Sequence, residues 1–304
     1  MTPTVPSIID LYLESLLVRH VAGEYAKDAL SNARRELRRF ADSFAIAITD
    51  CRQHDLTRWL SINPQWKSSC TKKRVASTIL ACFRWAEEEE LVPKCQYHWP
   101  KSLKGLPDKV RRPADPFEYV ALMRGGSREL RRALFFLRRT GCRTCEMREL
   151  CWQDVHDDHI SLEKHKTRRK TGRARKYGLD RSTANFLRAL RRNRQGHPED
   201  HVFLNCEGGK WDRHTFARHL RRWAKRIGLD EGVETRVSAY CLRHTYAVDA
   251  IEAGVTSRQI ADQQGHERTG MIDTVYGSHT RQRTAHLNSV AEDILRKRLR
   301  KPKE

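Results

Sequence analysis

The sequence predicts a mostly helical α+β fold in two domains: a helical N-terminal domain and a larger mixed domain that holds a small antiparallel sheet. Three observations predict it. Apolar residues recur at helical spacing along most of the chain. Residues 159–180 carry two short strand-like runs around a turn-rich RRKTGR. Between Pro100 and Pro116 the apolar pattern stops, and prolines and a glycine replace it. The length of 304 residues also exceeds the usual size of one domain. It is enough to bury a core without disulfides or metal.

Ile8, Leu11, Tyr12 and Leu16 share one face of a first helix, and Val75, Ile79, Phe83 and Ala86 one face of a later one. Between them Arg34, Arg35, Arg38 and Arg39, at i, i+1, i+4 and i+5, form a cationic stripe. Such a stripe is usually a solvated face, but in so basic a chain it could lie along phosphates. Residues 1–104 are assigned to the N-terminal domain, 105–116 to a linker and 117–304 to the second domain. There LRRALFFLRR (130–139) makes an apolar helix that Gly141 ends, and a short helix follows. HISLEKHKT and ARKYGLD form the hairpin. Phe216, Leu220, Trp223 and Ile227 mark the next helix, and Leu242, Ala247 and Ile251 another that stops at Gly254. A last helix carries Leu287, Val290, Ala291 and Ile294 before a basic tail that frays.

The formal net charge is +21, and it is unevenly spread. Residues 1–105 hold 16 Lys and Arg against 12 acids, whereas 106–304 hold 43 against 26. Solubility is served equally well by acids, so it does not explain the sign. A polyanion partner, most simply nucleic acid, does. The apolar stretch SIIDLYLESLL is broken by Asp10 and Glu14, too short and too charged for a signal or a membrane span. Nine cysteines, an odd number in mostly apolar contexts, fit reduced thiols in a cytosolic protein. The Cys142–Cys145 pair has no second pair at similar spacing, so a zinc site is not expected.

Four segments carry candidate chemistry: TGCRTCEMREL with Arg143 and Glu146, the hairpin with Lys166 and Lys170, AYCLRHTYA with Tyr240, Arg243 and His244, and GHERTGMIDTVYGSH with His266 ten residues before Tyr276. Singly each is weak, since an arginine in a basic protein is usually a surface charge. The physical logic of the set is specific. Two guanidiniums can grip the nonbridging oxygens of a phosphodiester and offset the charge that builds during attack. A tyrosine hydroxyl, with an ordinary pKa of about 10, needs nearby cations and a proton acceptor to become a nucleophile. A lysine on a hairpin can give the departing oxygen its proton.

In this order, TG-x-R-x-x-E at 140–146, LRHT at 242–245 and GH…Y at 265–276 resemble the tyrosine recombinase (phage integrase) family over about residues 117–285. The resemblance implies a helical core-binding domain and a catalytic domain closing around double-stranded DNA as a C-shaped clamp. It implies Tyr276 as nucleophile, forming a bond to the DNA 3′ end and freeing a 5′ hydroxyl. Arg143, Arg243 and His266 would contact the phosphate. Lys166, favoured for its place at the end of the first strand, or else Lys170, would act as the acid. Glu146 would hold the geometry of the cations, and His244 would support the local fold. Tyr240 stands where the family usually has histidine. It can donate a hydrogen bond but cannot serve as a base near neutral pH, which puts the general-base role in doubt. No cofactor or metal is implied.

The implied assembly is a homotetramer on two DNA sites, its C-terminal helix (285–297) docked on a neighbour, with room for accessory DNA-bending or directionality proteins. The expected location is the cytoplasm, at the nucleoid, with no membrane role. The helical pattern begins almost at Met1, which tilts the expectation away from an extra arm-binding domain and toward a simple recombinase. Two alternatives stay open: a non-catalytic basic DNA-binding protein of the same fold, and a type IB topoisomerase-like enzyme that nicks and reseals.

Overall fold

A computed structural model describes residues 2–63, 66, 68–92, 94, 97–105, 112–163, 165, 172, 174–194, 196–229, 237–270 and 272–273. Tyr276, Lys166, Lys170 and the helix expected at 285–297 lie outside the described residues. The fold is α+β and mostly helical, with one two-stranded antiparallel sheet, and it divides into two compact units, Met1–Val110 and Arg111–Glu304.

The first unit packs α1 (Val5–Val21), α2 (Lys27–Ser43), α3 (Gln53–Ile62) and α4 (Ser69–Glu88) around one apolar core. Thr4 caps α1 by accepting from the Ser7 amide, and Pro6 sits in the first turn, where its missing N–H is not needed. Val75, Ile79, Phe83 and Ala86 are buried on α4, as are Ile8, Tyr12 and Leu16 on α1. Leu11 is instead 44% exposed. The buried stripe of α1 runs through Val5, Ile8, Ile9, Tyr12, Leu13 and Leu16, and at 100° per residue Leu11 falls roughly 60° outside it. A buried carboxylate, Glu36 on α2, pairs with Arg74 on α4 and accepts from Thr78 Oγ1 at 3.1 Å.

The second unit begins inside the stretch read as linker. Ala114 is buried, and its amide donates to Thr245 Oγ1 at 2.8 Å. Arg112 donates both ends of its fork to Glu118, each at 2.8 Å. Residues without apolar periodicity therefore join this unit through hydrogen bonds. Helix α5 (Pro116–Gly125) follows, capped by Asp115, then α6 (Arg128–Thr140) and the short α7 (Thr144–Glu149). Strands β1 (His159–Leu162) and β2 (Arg175–Gly178) pair with His159 opposite Gly178 and Leu162 opposite Arg175. Helices α8 (Arg181–Arg194), α9 (Arg213–Arg226), α10 (Ala239–Glu252) and α11 (Ser257–Gln264) complete it. α10 packs on α6, and the Arg138–Asp249 ion pair joins them. No helix among the described residues is long and apolar enough to cross a membrane.

Candidate active site

Two glycines shape the site. Gly141 ends α6 in the left-handed region, at φ 61°, and a Cβ there would lie 2.5 Å from the Tyr246 ring. The turn it makes places Arg143 at the N-cap of α7. Glu146, one turn on, reaches back: its Oε2 accepts from the Arg143 amide at 2.9 Å and its Oε1 from Arg143 Nη1 at 2.7 Å. The TG-x-R-x-x-E spacing is thus a turn, a cap and its ion pair in seven residues.

Gly265, at φ 66°, ends α11. The Gly265 amide bonds to Asp262 O at 3.1 Å and the His266 amide to Ala261 O at 2.8 Å, the two bonds of a Schellman cap. Arg143 Nη2 donates to Gly265 O at 2.8 Å. Arg243, one turn into α10 and 2% exposed, donates Nη1 to Gly141 O and Nη2 to Gln264 O, both at 2.7 Å. Gln264 returns a bond from Nε2 to Arg243 O at 2.9 Å. Arg243 Nη2 also lies 2.9 Å from His266 Nε2. A guanidinium has no lone pair to offer, so in that bond Nε2 is the acceptor.

Three of the residues read from the sequence as phosphate contacts, Arg143, Arg243 and His266, therefore meet at the Gly141 and Gly265 turns. Tyr240 starts α10 one turn before Arg243, is 41% exposed, and meets the His244 ring edge-on at 4.8 Å. His244 is buried. The sequence reading gave no site role to Arg175, the last residue of KTGRAR (170–175), or to Gln264. Arg175 opens β2 with its side chain buried; Nε lies 2.9 Å from Glu146 Oε1, within ion-pair range though not aligned as a hydrogen bond, and Nη2 donates to Gln263 O at 2.9 Å. The available signal was strand parity: Arg175 shares the inward face of β2 with Tyr177, and a cation on that face demands a partner.

The electrostatics follow from this crowding. Burial pushes the Glu146 carboxyl up, but the Arg175 and Arg143 guanidiniums outweigh it, and the group ends below the ordinary carboxylate range. Arg243 is drawn down by burial first and by Arg143 second. Burial, with Glu146 close by, pushes the Cys142 thiol to about 12. Two guanidiniums pair with one carboxylate and a third stands close by, so positive charge is in excess at these turns. Among the described residues no group of three or more His, Cys, Asp or Glu could hold a metal ion.

Comparison with known proteins agrees with this geometry. Over 140 residues the chain is 29% identical to tyrosine recombinase XerD of Chlamydia trachomatis, a match spanning 42% of each chain. It is 26% identical over 229 residues to tyrosine recombinase XerC of Corynebacterium efficiens, spanning 72% of this chain and 71% of that one. The chain thus spans about two fifths of the length of the XerD relative. Its fold superimposes on lambda integrase residues 75–356, a dimer bound to a COC′ core site, with a TM-score of 0.72 at 19% identity over 88% of this chain and 97% of that one. A lambda integrase tetramer bound to a Holliday junction gives 0.73 at 18% identity, over 90% and 77%. Residues 115–283 match the model of the phage integrase family, and with more than half its length inside that match the chain belongs to this family, the tyrosine recombinases.

Proposed function

We propose that the chain is a site-specific DNA recombinase that cleaves and rejoins strands through a 3′-phosphotyrosyl bond on Tyr276. The observation that carries this reading is the convergence of Arg143, Arg243 and His266 on one pair of turns, with His266 ten residues before Tyr276 in the sequence. Arg143 and Arg243 hold the nonbridging oxygens of the scissile phosphate and offset its growing charge. The Tyr276 oxygen attacks phosphorus, a P–Oη bond forms, and the bond from phosphorus to the 5′ oxygen breaks. The phenol proton passes to an acceptor. With Tyr240 in the usual histidine position, His266 can take that proton once the phosphate draws Arg243 Nη2 away from its Nε2 lone pair.

The departing 5′ oxygen takes a proton from a hairpin lysine. Lys166 is the favoured donor and Lys170 the alternative; both lie outside the described residues. Rejoining is the reverse, with a 5′ hydroxyl from another duplex as attacker. Four protomers, the number in the lambda integrase tetramer bound to a Holliday junction, would act on two sites and complete exchange inside the cytoplasm at the nucleoid.

The test starts from a pool of nicked duplexes in which the cleaved 5′ end diffuses away and traps the covalent complex. SDS-resistant protein–DNA adducts, absent in Tyr276→Phe, are expected, and the captured duplexes define the site. A plasmid with two such sites should then yield recombinants. Adducts with relaxation alone would place the chain with enzymes that nick and reseal. No adduct from any duplex in the pool would leave a DNA-binding protein without the chemistry.

A further inference from the structure

We propose that Arg175 is a positioning residue for strand cleavage, clamping the hairpin strand, the Glu146 carboxylate under Arg143 and the turn that presents His266 into one unit. This rests on the reading of the site as a strand-cleaving centre. The side chain is only 4% exposed and spans three elements: β2, which it opens, α7 through Glu146, and the end of α11 through the Gln263 carbonyl. Its guanidinium also fills the space beside Gly265. A Cβ on Gly265 would fall 1.8 Å from Arg175 Nη1, so a side chain there would displace the fork, and the positive φ favours glycine on its own.

The other end of β2 is tied to the same helix end. The Gly178 amide donates to Gln263 Oε1 at 3.1 Å, and Gln263 Nε2 donates to Gly178 O at 3.2 Å. Both ends of the strand are therefore referenced to the turn that carries His266, but only Arg175 also reaches the carboxylate that orients Arg143. Lys166 and Lys170 precede Arg175 in the sequence, between β1 and β2. A buried third cation among guanidiniums is costly compared with an apolar side chain of similar size. Its retention has a purpose if the fork sets the distance between the acid-bearing hairpin and the phosphate grip.

The groups facing Glu146 are Arg143 on its own helix, Arg175 on β2 and Arg243 on α10, with Cys142 and Tyr177 beside them. Removing Arg175 takes away one of the cations that hold the carboxyl ionised. Its pKa then rises, and falling pH protonates it sooner.

The test uses the full chain and the nicked duplex recovered as an adduct substrate, with single-turnover adduct formation followed against pH and binding by mobility shift. Arg175→Met should cleave about 100-fold more slowly, the scale of a misplaced catalytic group, with DNA affinity within about twofold and the acid limb moved to higher pH. Arg175→Lys keeps the charge but cannot bridge Glu146 and Gln263 together. It should leave the acid limb in place and still slow cleavage about tenfold. Wild-type rate and limb in Arg175→Met, or equal slowing of both variants with unmoved limbs, would overturn the proposal. Should Arg175→Met fail to fold, Arg175→Lys decides: slowed cleavage with DNA binding intact supports the clamp, and wild-type cleavage removes it. If the wild type itself forms no Tyr276-dependent adduct, the functional reading falls and this inference with it. A wild-type adduct with indifferent Arg175 variants sinks this inference alone.

Discussion

Among the described residues each unit buries one glutamate, and the two are held differently. Glu36 in the first unit has Arg74 and the Thr78 hydroxyl, with Arg35 no closer than 3.9 Å. It cross-links α2 to α4, and Arg74 keeps much of its side chain in solvent. Glu146 in the second unit sits beneath Arg143 and Arg175 with Arg243 beside them, all three drawn in from solvent. One carboxylate and one arginine make a neutral brace. Three arginines around one carboxylate make a repulsive cluster that folding alone has no reason to build. The contrast separates a balanced ion pair from a cluster with positive charge in excess.

The contrast would break most sharply at the arginines. Arg143→Ala and Arg243→Ala should each lower adduct formation about 1,000-fold, the scale of a lost oxyanion donor, while DNA affinity falls less than about threefold because many phosphates share the binding. Arg243→Lys, which fills more of the buried space, should still lose most of the cleavage. A folded variant that no longer binds DNA would show these arginines to be anchors rather than part of the chemistry.

Glu146→Gln and Glu36→Gln sharpen the comparison. Each leaves a cation short of its partner, so both should unfold more easily, by about 3–5 kcal/mol for the former and about 1–3 kcal/mol for the latter in urea melts. Only Glu146→Gln should slow cleavage per folded molecule. The pH dependence carries a sign. The folded Glu146 pKa is depressed, so its contribution is present above the unfolded carboxylate value and is lost as pH falls through the lower folded one. The stability difference between wild type and Glu146→Gln should therefore shrink on acidification, and a difference that grew toward low pH would refute the assignment.

The smallest effects belong to the cationic stripe of α2. Changing Arg34, Arg35 or Arg38 to Gln should weaken DNA binding modestly and lower the salt slope by about one for each phosphate no longer neutralised. Arg38 should matter least, since it lies 3.4 Å from Asp10. Unchanged slopes in all three would make the stripe a solvated face.

Much of this was legible in the sequence because the signals are local. Val75, Ile79, Phe83 and Ala86 mark a helix face by spacing alone, and the Gly141 turn, the Arg143 cap and Glu146 fall within seven residues. Arg175 was not legible in that way. Its meaning depends on which face of β2 turns inward and on a carboxylate 29 positions away, neither of which a string of letters displays. Ala114 and Arg112 were hidden for a related reason: their packing is by hydrogen bonds to distant or charged groups, with no apolar period to announce it.

The central claim is that the residue 276 oxygen becomes bonded to phosphorus. Trypsin digestion of the SDS-resistant adduct after nuclease trimming, followed by mass spectrometry, tests it directly. The account predicts nucleotide mass on the peptide spanning 269–281, attached through a 3′ phosphate, with a free 5′ hydroxyl on the released strand. Nucleotide mass on the peptide spanning 237–243, which carries Tyr240, or on no tyrosine at all, would contradict it.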